Sequence, residues 1–175
     1  ATIGFAGGDV AVPLELRKPG SGDRRHGTRV RLWPDPKYFE SAELPRHELL
    51  HLLRSKAVLM PGVTVSFTHE KSGQKDPETQ TWQYKGGLKD YLQQSLPADA
   101  LIPLFEGEQY AGAHETENFA EGEGAAWCVA FTDDGSTLRE SYVNLIPTVA
   151  GGTHESGLKD GLFGAIKGFI ELHAL

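Results

Sequence analysis

Apolar runs in this chain are short, and glycine or proline cuts nearly every one of them. With 21 Gly and 10 Pro in 175 residues, only brief strands and helices of modest length fit between the breaks. Residues 2–5 and 12–16 are two such runs, parted by Gly7-Gly8-Asp9, a spacing that predicts a hairpin. Residues 18–26 are polar, rich in Gly and Arg, and read as a loop. Thr28-Arg29-Val30-Arg31-Leu32-Trp33 alternates polar and apolar, which predicts a strand ended by Pro34 and Pro36. Within 44–57, Leu49, Leu50, Leu53 and Ala57 recur at helical spacing. Residues 63–67 and 80–84 alternate again and predict an antiparallel pair, joined by the polar segment 70–78. A short helix over 88–96 is stopped by Pro97.

Residues 97–103 mark a boundary. Beyond it, 104–105 are apolar and 106–124 read as a flexible acidic connection. Residues 126–131 and 141–146 flank Asp133-Asp134-Gly135 and predict a second hairpin. The last helix covers 154–173, with Leu158, Leu162, Ala165, Ile166 and Phe169 as one apolar stripe expected to be buried. No repeat of any period is visible, and strands and helices do not alternate as βαβ units. The expected fold class is therefore α+β with mainly antiparallel sheets.

An apolar fraction of 39% and a charged fraction of 23% read as a soluble globular chain long enough to bury a core. A net charge of −7 argues against gripping DNA by charge alone, which needs clustered Lys and Arg. The one cysteine, Cys128, allows no disulfide within the chain and favours a reducing compartment; it sits in an apolar run and reads as core. No apolar run reaches the roughly 18–20 residues of a membrane span, so no membrane partner is expected. Residues 1–10 lack the basic start and long apolar stretch of a signal peptide. The chain opens without Met inside an expected strand and closes at Ala174-Leu175 at the end of an expected helix, so it is expected to be an internal piece of a longer protein.

His154, in Gly151-Gly152-Thr153-His154-Glu155, invites a metal or catalytic reading, but nothing at i+4 completes a zinc pair. A helix start explains the segment better, with Thr153 as N-cap and Glu155 at the positive end of the helix dipole. His47 and His51 stand four apart on the 44–57 helix, away from its apolar stripe, with no Asp, Glu or Cys to complete a site; they read as exposed. No metal ligand is assigned. Arg24, Arg25, His26, Arg29 and Arg31 form the one basic cluster, and a solvated loop and strand face accounts for it better than a DNA contact does.

Four ordered segments point further. They are 27–36, Gly-Thr-Arg-Val-Arg-Leu-Trp-Pro-Asp-Pro; 56–63, Lys-Ala-Val-Leu-Met-Pro-Gly-Val; 84–91, Tyr-Lys-Gly-Gly-Leu-Lys-Asp-Tyr; and 141–148, Ser-Tyr-Val-Asn-Leu-Ile-Pro-Thr, followed at 151–158 by Gly-Gly-Thr-His-Glu-Ser-Gly-Leu. Across nearly the whole chain these blocks resemble, in order and spacing, the ATPase (B) subunits of the bacterial type IIA topoisomerases. The Trp-Pro-Asp and Ser-Tyr-Val-Asn-Leu-Ile-Pro-Thr forms look more like topoisomerase IV than gyrase.

The resemblance implies an α+β architecture in which 1–96 form the C-terminal part of a gyrase/Hsp90/histidine-kinase/MutL-type ATPase domain and 97–175 the first part of a transducer domain. It implies an ATP-hydrolysing isomerase that uses ATP and Mg²⁺ to pass one DNA duplex through another, decatenating and relaxing DNA. It also implies a bacterial cytoplasmic setting, with partners in the A subunit of topoisomerase IV and a second B subunit, in an A2B2 complex on DNA. For this chain it assigns cofactor-binding residues at Gly27 and Thr28, whose hydroxyl is placed near the adenine amino group; a hydroxyl donates and accepts, as adenine requires. No catalytic residue is assigned within the chain, so the isolated piece is expected to be inactive. Gyrase B, or a non-enzymatic interaction module with this fold, are the alternatives.

Overall fold

The computed structural model of the chain describes residues 1–175 apart from Pro19, 21–26, Ala42, Lys71, Ser72, Gln74, Lys75, 98–101, 113–117, Asp134 and Ser136. Arg24, Arg25 and His26 of the basic cluster thus lie outside the described residues. The chain divides into two units, Ala1–Glu43 and Leu44–Leu175.

In the first unit, β1 (Thr2–Ala6) and β2 (Asp9–Glu15) pair antiparallel and turn at Gly7-Gly8, as the sequence predicts. The expected strand over 28–33 is not formed: among the described residues these have no ladder partner, and β1 and β2 pair with each other. An alternating pattern makes a strand only where a second edge offers its amides and carbonyls. The Arg31 guanidinium nevertheless sits 5.7 Å from the Trp33 ring centre, the meeting of two side chains on the same side of a stretched backbone.

The second unit begins with α1 (Arg46–Leu59), entered from Pro45, with Glu48 in its first turn and Lys56 in its last. It is followed by β3 (Val65–His69) and β4 (Glu78–Trp82), paired in unbroken register from Val65↔Trp82 to His69↔Glu78. The two faces of this hairpin separate by chemistry. Ser66–Thr81 and Thr68–Thr79 form hydroxyl pairs at 3.0 and 3.1 Å on the exposed face. Val65, Phe67 and His69 occupy the half-buried face. The core sits where α1 meets this hairpin and its exit: Ala57, Val58 and Tyr84 are buried, and Val65, Trp82, Leu88 and Tyr91 pack around them. Fully burying a side chain such as Val58, at 1% exposure, contributes about 1.5–3 kcal/mol.

Next comes α2 (Leu88–Ser95), whose Asp90 carboxylate reaches back to accept the amide of Gly86, the residue before the N-cap, at 2.6 Å. The helix packs on β5 (Leu104–Tyr110) and β6 (Gly124–Ala130), and Lys89 pairs with Glu106 there. Two expectations change at this point. The acidic segment after residue 105 is not a flexible connection at its start, since residues through Tyr110 lie in β5. And β6 pairs backward with β5, from Leu104↔Ala130 to Tyr110↔Gly124, rather than forward with 141–146. That later segment makes its own small hairpin, β7 (Tyr142–Val143) and β8 (Ile146–Pro147). Asn144 and Leu145 form its turn, with φ of 48° and 69°. Two successive positive φ values match the twist of a tight hairpin.

The chain ends in α3 (Thr153–His173), with Gly152 at the N-cap and no side-chain cap bond, so Thr153 is the first helical residue rather than the cap. Its apolar stripe is not buried as expected: Leu158 and Leu162 are half-buried near the helix start, while further along Ile166 and Phe169 are 46% and 56% exposed, because none of the described sheets or helices packs along this helix. Phe169 instead meets His173, with ring centres 4.3 Å apart and planes tilted by 42°. Among the described residues the molecule is α+β: three helices and four two-stranded antiparallel sheets.

Candidate functional site

Gly27 and Thr28 are both exposed in the first unit. Gly27 holds φ at +140°, a value closed to most side chains, with open space where a Cβ would stand. Thr28 follows on irregular backbone, and no described group takes its hydroxyl. One donor-acceptor group is thus presented to solvent, beside a residue that only glycine readily fills.

The second unit brings together a denser polar cluster whose mutual contacts no sequence pattern shows. From α1, the Arg54 side chain donates to the Tyr84 hydroxyl at 2.9 Å, and its guanidinium lies 4.8 Å from the centre of the Tyr91 ring. Tyr84 and Tyr91 meet edge to face, 5.8 Å apart. The Tyr91 hydroxyl, delivered by α2, donates to Glu140 Oε1 at 2.7 Å, and the Tyr142 hydroxyl, delivered by β7, donates to Glu140 Oε2. One carboxylate thus collects two phenols from two separate elements. Burial, followed by the hydrogen bond to the Glu140 carboxylate, pushes the Tyr91 phenol from 10.0 up to about 12. The same two causes, in the same order, raise the Tyr142 phenol. Beside this cluster, the Lys56 ammonium at the end of α1 donates to the carbonyl of Leu145 in the β7–β8 turn.

A second group of hydroxyls and charges adjoins it at the start of α3. The Ser141 hydroxyl donates to Glu155 Oε1 at 2.5 Å and lies 2.5 Å from the Thr148 hydroxyl. Arg139 Nε reaches Glu155 Oε2 at 3.1 Å, and Lys159 stands one helical turn on, at 3.9 Å. The Ser141 hydrogen bond, joined by Arg139 and Lys159, holds the Glu155 carboxyl below its ordinary range. Gly151 turns the chain into this site at φ +75°, where a Cβ would press on Arg139 and Glu155 at 3.3 Å. The imidazole of His154 contacts Thr148 Oγ1 at 3.4 Å and does not reach Ser141. With Ser141 bound directly to a carboxylate, the group braces the helix start and is not arranged as a nucleophile with its base.

His47 and His51 are exposed, on the side of α1 away from Leu49, Leu50, Leu53 and Ala57, as their spacing predicts. Cys128 lies half-buried on β6 opposite Glu106, and burial pushes its thiol up, away from the thiolate range of a reactive cysteine. Among the described residues no three His, Cys, Asp or Glu side chains converge on a metal position, and no helix is long and apolar enough to cross a membrane. The structure does not bring His154, His47 and His51 together. Of the residues that sequence reasoning leaves without a role, Tyr91, Ser141, Tyr142 and Thr148 stand inside the ordered motifs, whereas Glu140 lies outside them and carries no signal of its contact with Tyr91.

The observation that decides kinship is the match of residues 87–175, just over half of the chain, to the family described as DNA gyrase B. The chain belongs to the DNA gyrase B family. The matched segment takes in α2, the β5–β6 and β7–β8 hairpins, and α3 with the hydroxyl cluster at its start. Relatives extend the similarity upstream. A Haemophilus influenzae protein, named as the B subunit of DNA topoisomerase 4, is 39% identical over 176 aligned positions, covering 99% of this chain and 26% of its own. Proteins of the same name from Escherichia coli K12 and Pseudomonas aeruginosa are each 39% identical. They cover 97% and 88% of this chain, and 25% and 23% of their own. The chain therefore spans about a quarter of the length of the curated relatives it matches.

Proposed function

We propose that the chain is the stretch of an ATP-driven topoisomerase B subunit in which the ATPase domain ends, over 1–96, and the transducer begins, over 97–175. The observation that carries this reading is the 39% identity to B subunits of DNA topoisomerase 4 across nearly the whole chain. That name also favours the decatenating enzyme over gyrase. In the complete enzyme, the A subunit of topoisomerase IV, a second B subunit and DNA are the partners, and the work is decatenation and relaxation of DNA. ATP supplies the phosphoanhydride whose hydrolysis drives the cycle. Thr28 fits one role toward it: a free, exposed hydroxyl that can accept from and donate to the adenine edge, with Gly27 leaving room for the base. The described residues do not converge into a Mg²⁺ site. Among the described residues no phosphate-neutralising set gathers, and the isolated chain is expected not to hydrolyse ATP.

The test is a nucleotide titration of the complete B subunit. Thr28→Ala removes one net hydrogen bond of about 1 kcal/mol, so ATP should bind roughly fivefold more weakly, with turnover at saturating ATP nearly unchanged. Equal affinity in the variant would remove Thr28 from the nucleotide site.

A further inference from the structure

We propose that Glu140 is the pin of a latch that couples the α1–α2 pair to the start of α3. Its partners come from separate elements. Tyr91 is rooted in α2 and Tyr142 in β7, and each phenol takes a different oxygen of the one carboxylate. Tyr91 is in turn fixed from α1 by the Arg54 guanidinium on its face and by the edge of Tyr84, a buried core ring. Motion of the α1–α2 pair therefore moves the Tyr91 hydroxyl and, through Glu140, pulls on β7.

The path continues without a gap. Ser141 follows Glu140 in the chain and holds both sides of the next junction. Its carbonyl accepts the Thr148 amide at 2.8 Å, which closes the β7–β8 hairpin. Its hydroxyl donates to Glu155 in the first turn of α3. Lys56 provides a second, parallel tie from α1 to the Leu145 carbonyl, in a turn where Leu145 itself sits at a positive φ of 69°. A bulky residue held there stores local strain, which persists when the surroundings over-determine it. A contiguous set of hydrogen bonds between packed elements is the physical means by which one position biases another. Glu140 is otherwise exposed; it receives these two phenols, and its charge also favours the Arg54 guanidinium that lies on the Tyr91 ring. It acts as a positioning residue: it touches no reacting group and sets where α3 begins.

Hydrogen–deuterium exchange followed by mass spectrometry on the complete B subunit, without nucleotide or DNA, tests the latch independently of the ATP-driven reading. Tyr91→Phe keeps the ring under Arg54 and removes only the bond to Glu140. Exchange in peptides covering 141–156 should rise about fivefold, while peptides covering β3 and β4 keep their wild-type rates. Glu140→Gln, at an exposed position where folding is not at stake, should give a rise at 141–156 of the same sign. Because both phenols share one carboxylate, Tyr91→Phe combined with Tyr142→Phe should cost less than the two single effects added together. Unchanged exchange at 141–156 in both Tyr91→Phe and Glu140→Gln overturns the latch. So does a rise that spreads equally to β3 and β4, which would mark a general loss of stability, and so does strict additivity of the two phenylalanine variants.

Discussion

Tyr91 is a phenol kept neutral by its surroundings. Burial disfavours the phenolate, and the Glu140 carboxylate accepts a hydrogen bond from the neutral phenol, so the group is pushed up from 10.0 to about 12 in the folded chain. A group whose folded value is raised stabilises fully below its unfolded value and loses that contribution as pH climbs through the folded one. Stability should therefore hold up to about pH 10 and fall between about 10 and 12, as Tyr91 and then Tyr142 resist ionisation in the folded state only. Ultraviolet titration of the phenolate band checks this. In Glu140→Gln the late-titrating tyrosines should move toward lower pH, and identical curves for variant and wild type would contradict the assigned cause. At this scale the sequence is legible where a residue's own chemistry decides its place. His47 and His51 lie exposed, as their position on the helical wheel predicts. Glu140 is illegible, because nothing in its neighbours along the chain shows that a tyrosine 49 positions earlier will reach it.

Helices α1, α2 and α3 and the β3–β4 hairpin follow from periodicity and breakers, because each has its pattern within one continuous segment. The errors arise where pairing is decided by a partner elsewhere. Glu106, Gly107, Glu108 and Gln109 are weak strand formers by composition, yet they form β5 because β6 offers a seven-residue register and α2 covers the pair. Thr28 to Trp33 has the better strand pattern and no partner. The stripe on α3 is apolar as expected but open, since a periodic face says that a helix can be covered and not by what. Energetically the second unit leans on the α1–β3 contact. Val58→Ala, which deletes two methyl groups at a site 1% exposed, should lower stability by about 2–3 kcal/mol, whereas Ile166→Ala at 46% exposure should cost under ~1 kcal/mol in this chain. Paired thermal melts of the two variants decide the ranking, and equal losses would place α3 in the core after all.

At the level of the whole molecule, sequence resemblance and family match converge: the 87–175 match takes in the last motif block and most of the third, and the similarity of relatives runs on over the first two. What the fold adds is a continuous set of contacts, running from α1 and α2 past residues 96 and 97 to the head of α3, through Tyr91, Glu140, Tyr142, Ser141 and Glu155. The proposed junction between an ATPase part and a transducer part would need such ties, since movement passes through packed or bonded neighbours. The most direct measurement is a strand-passage assay with the complete B subunit and the proposed topoisomerase IV A-type partner, on interlinked DNA circles and on relaxed plasmid, with and without ATP. Separation of the circles that requires ATP, with no negative supercoiling of the plasmid, is the expected result. ATP-dependent supercoiling, or circles left linked whether or not ATP is present, would contradict it.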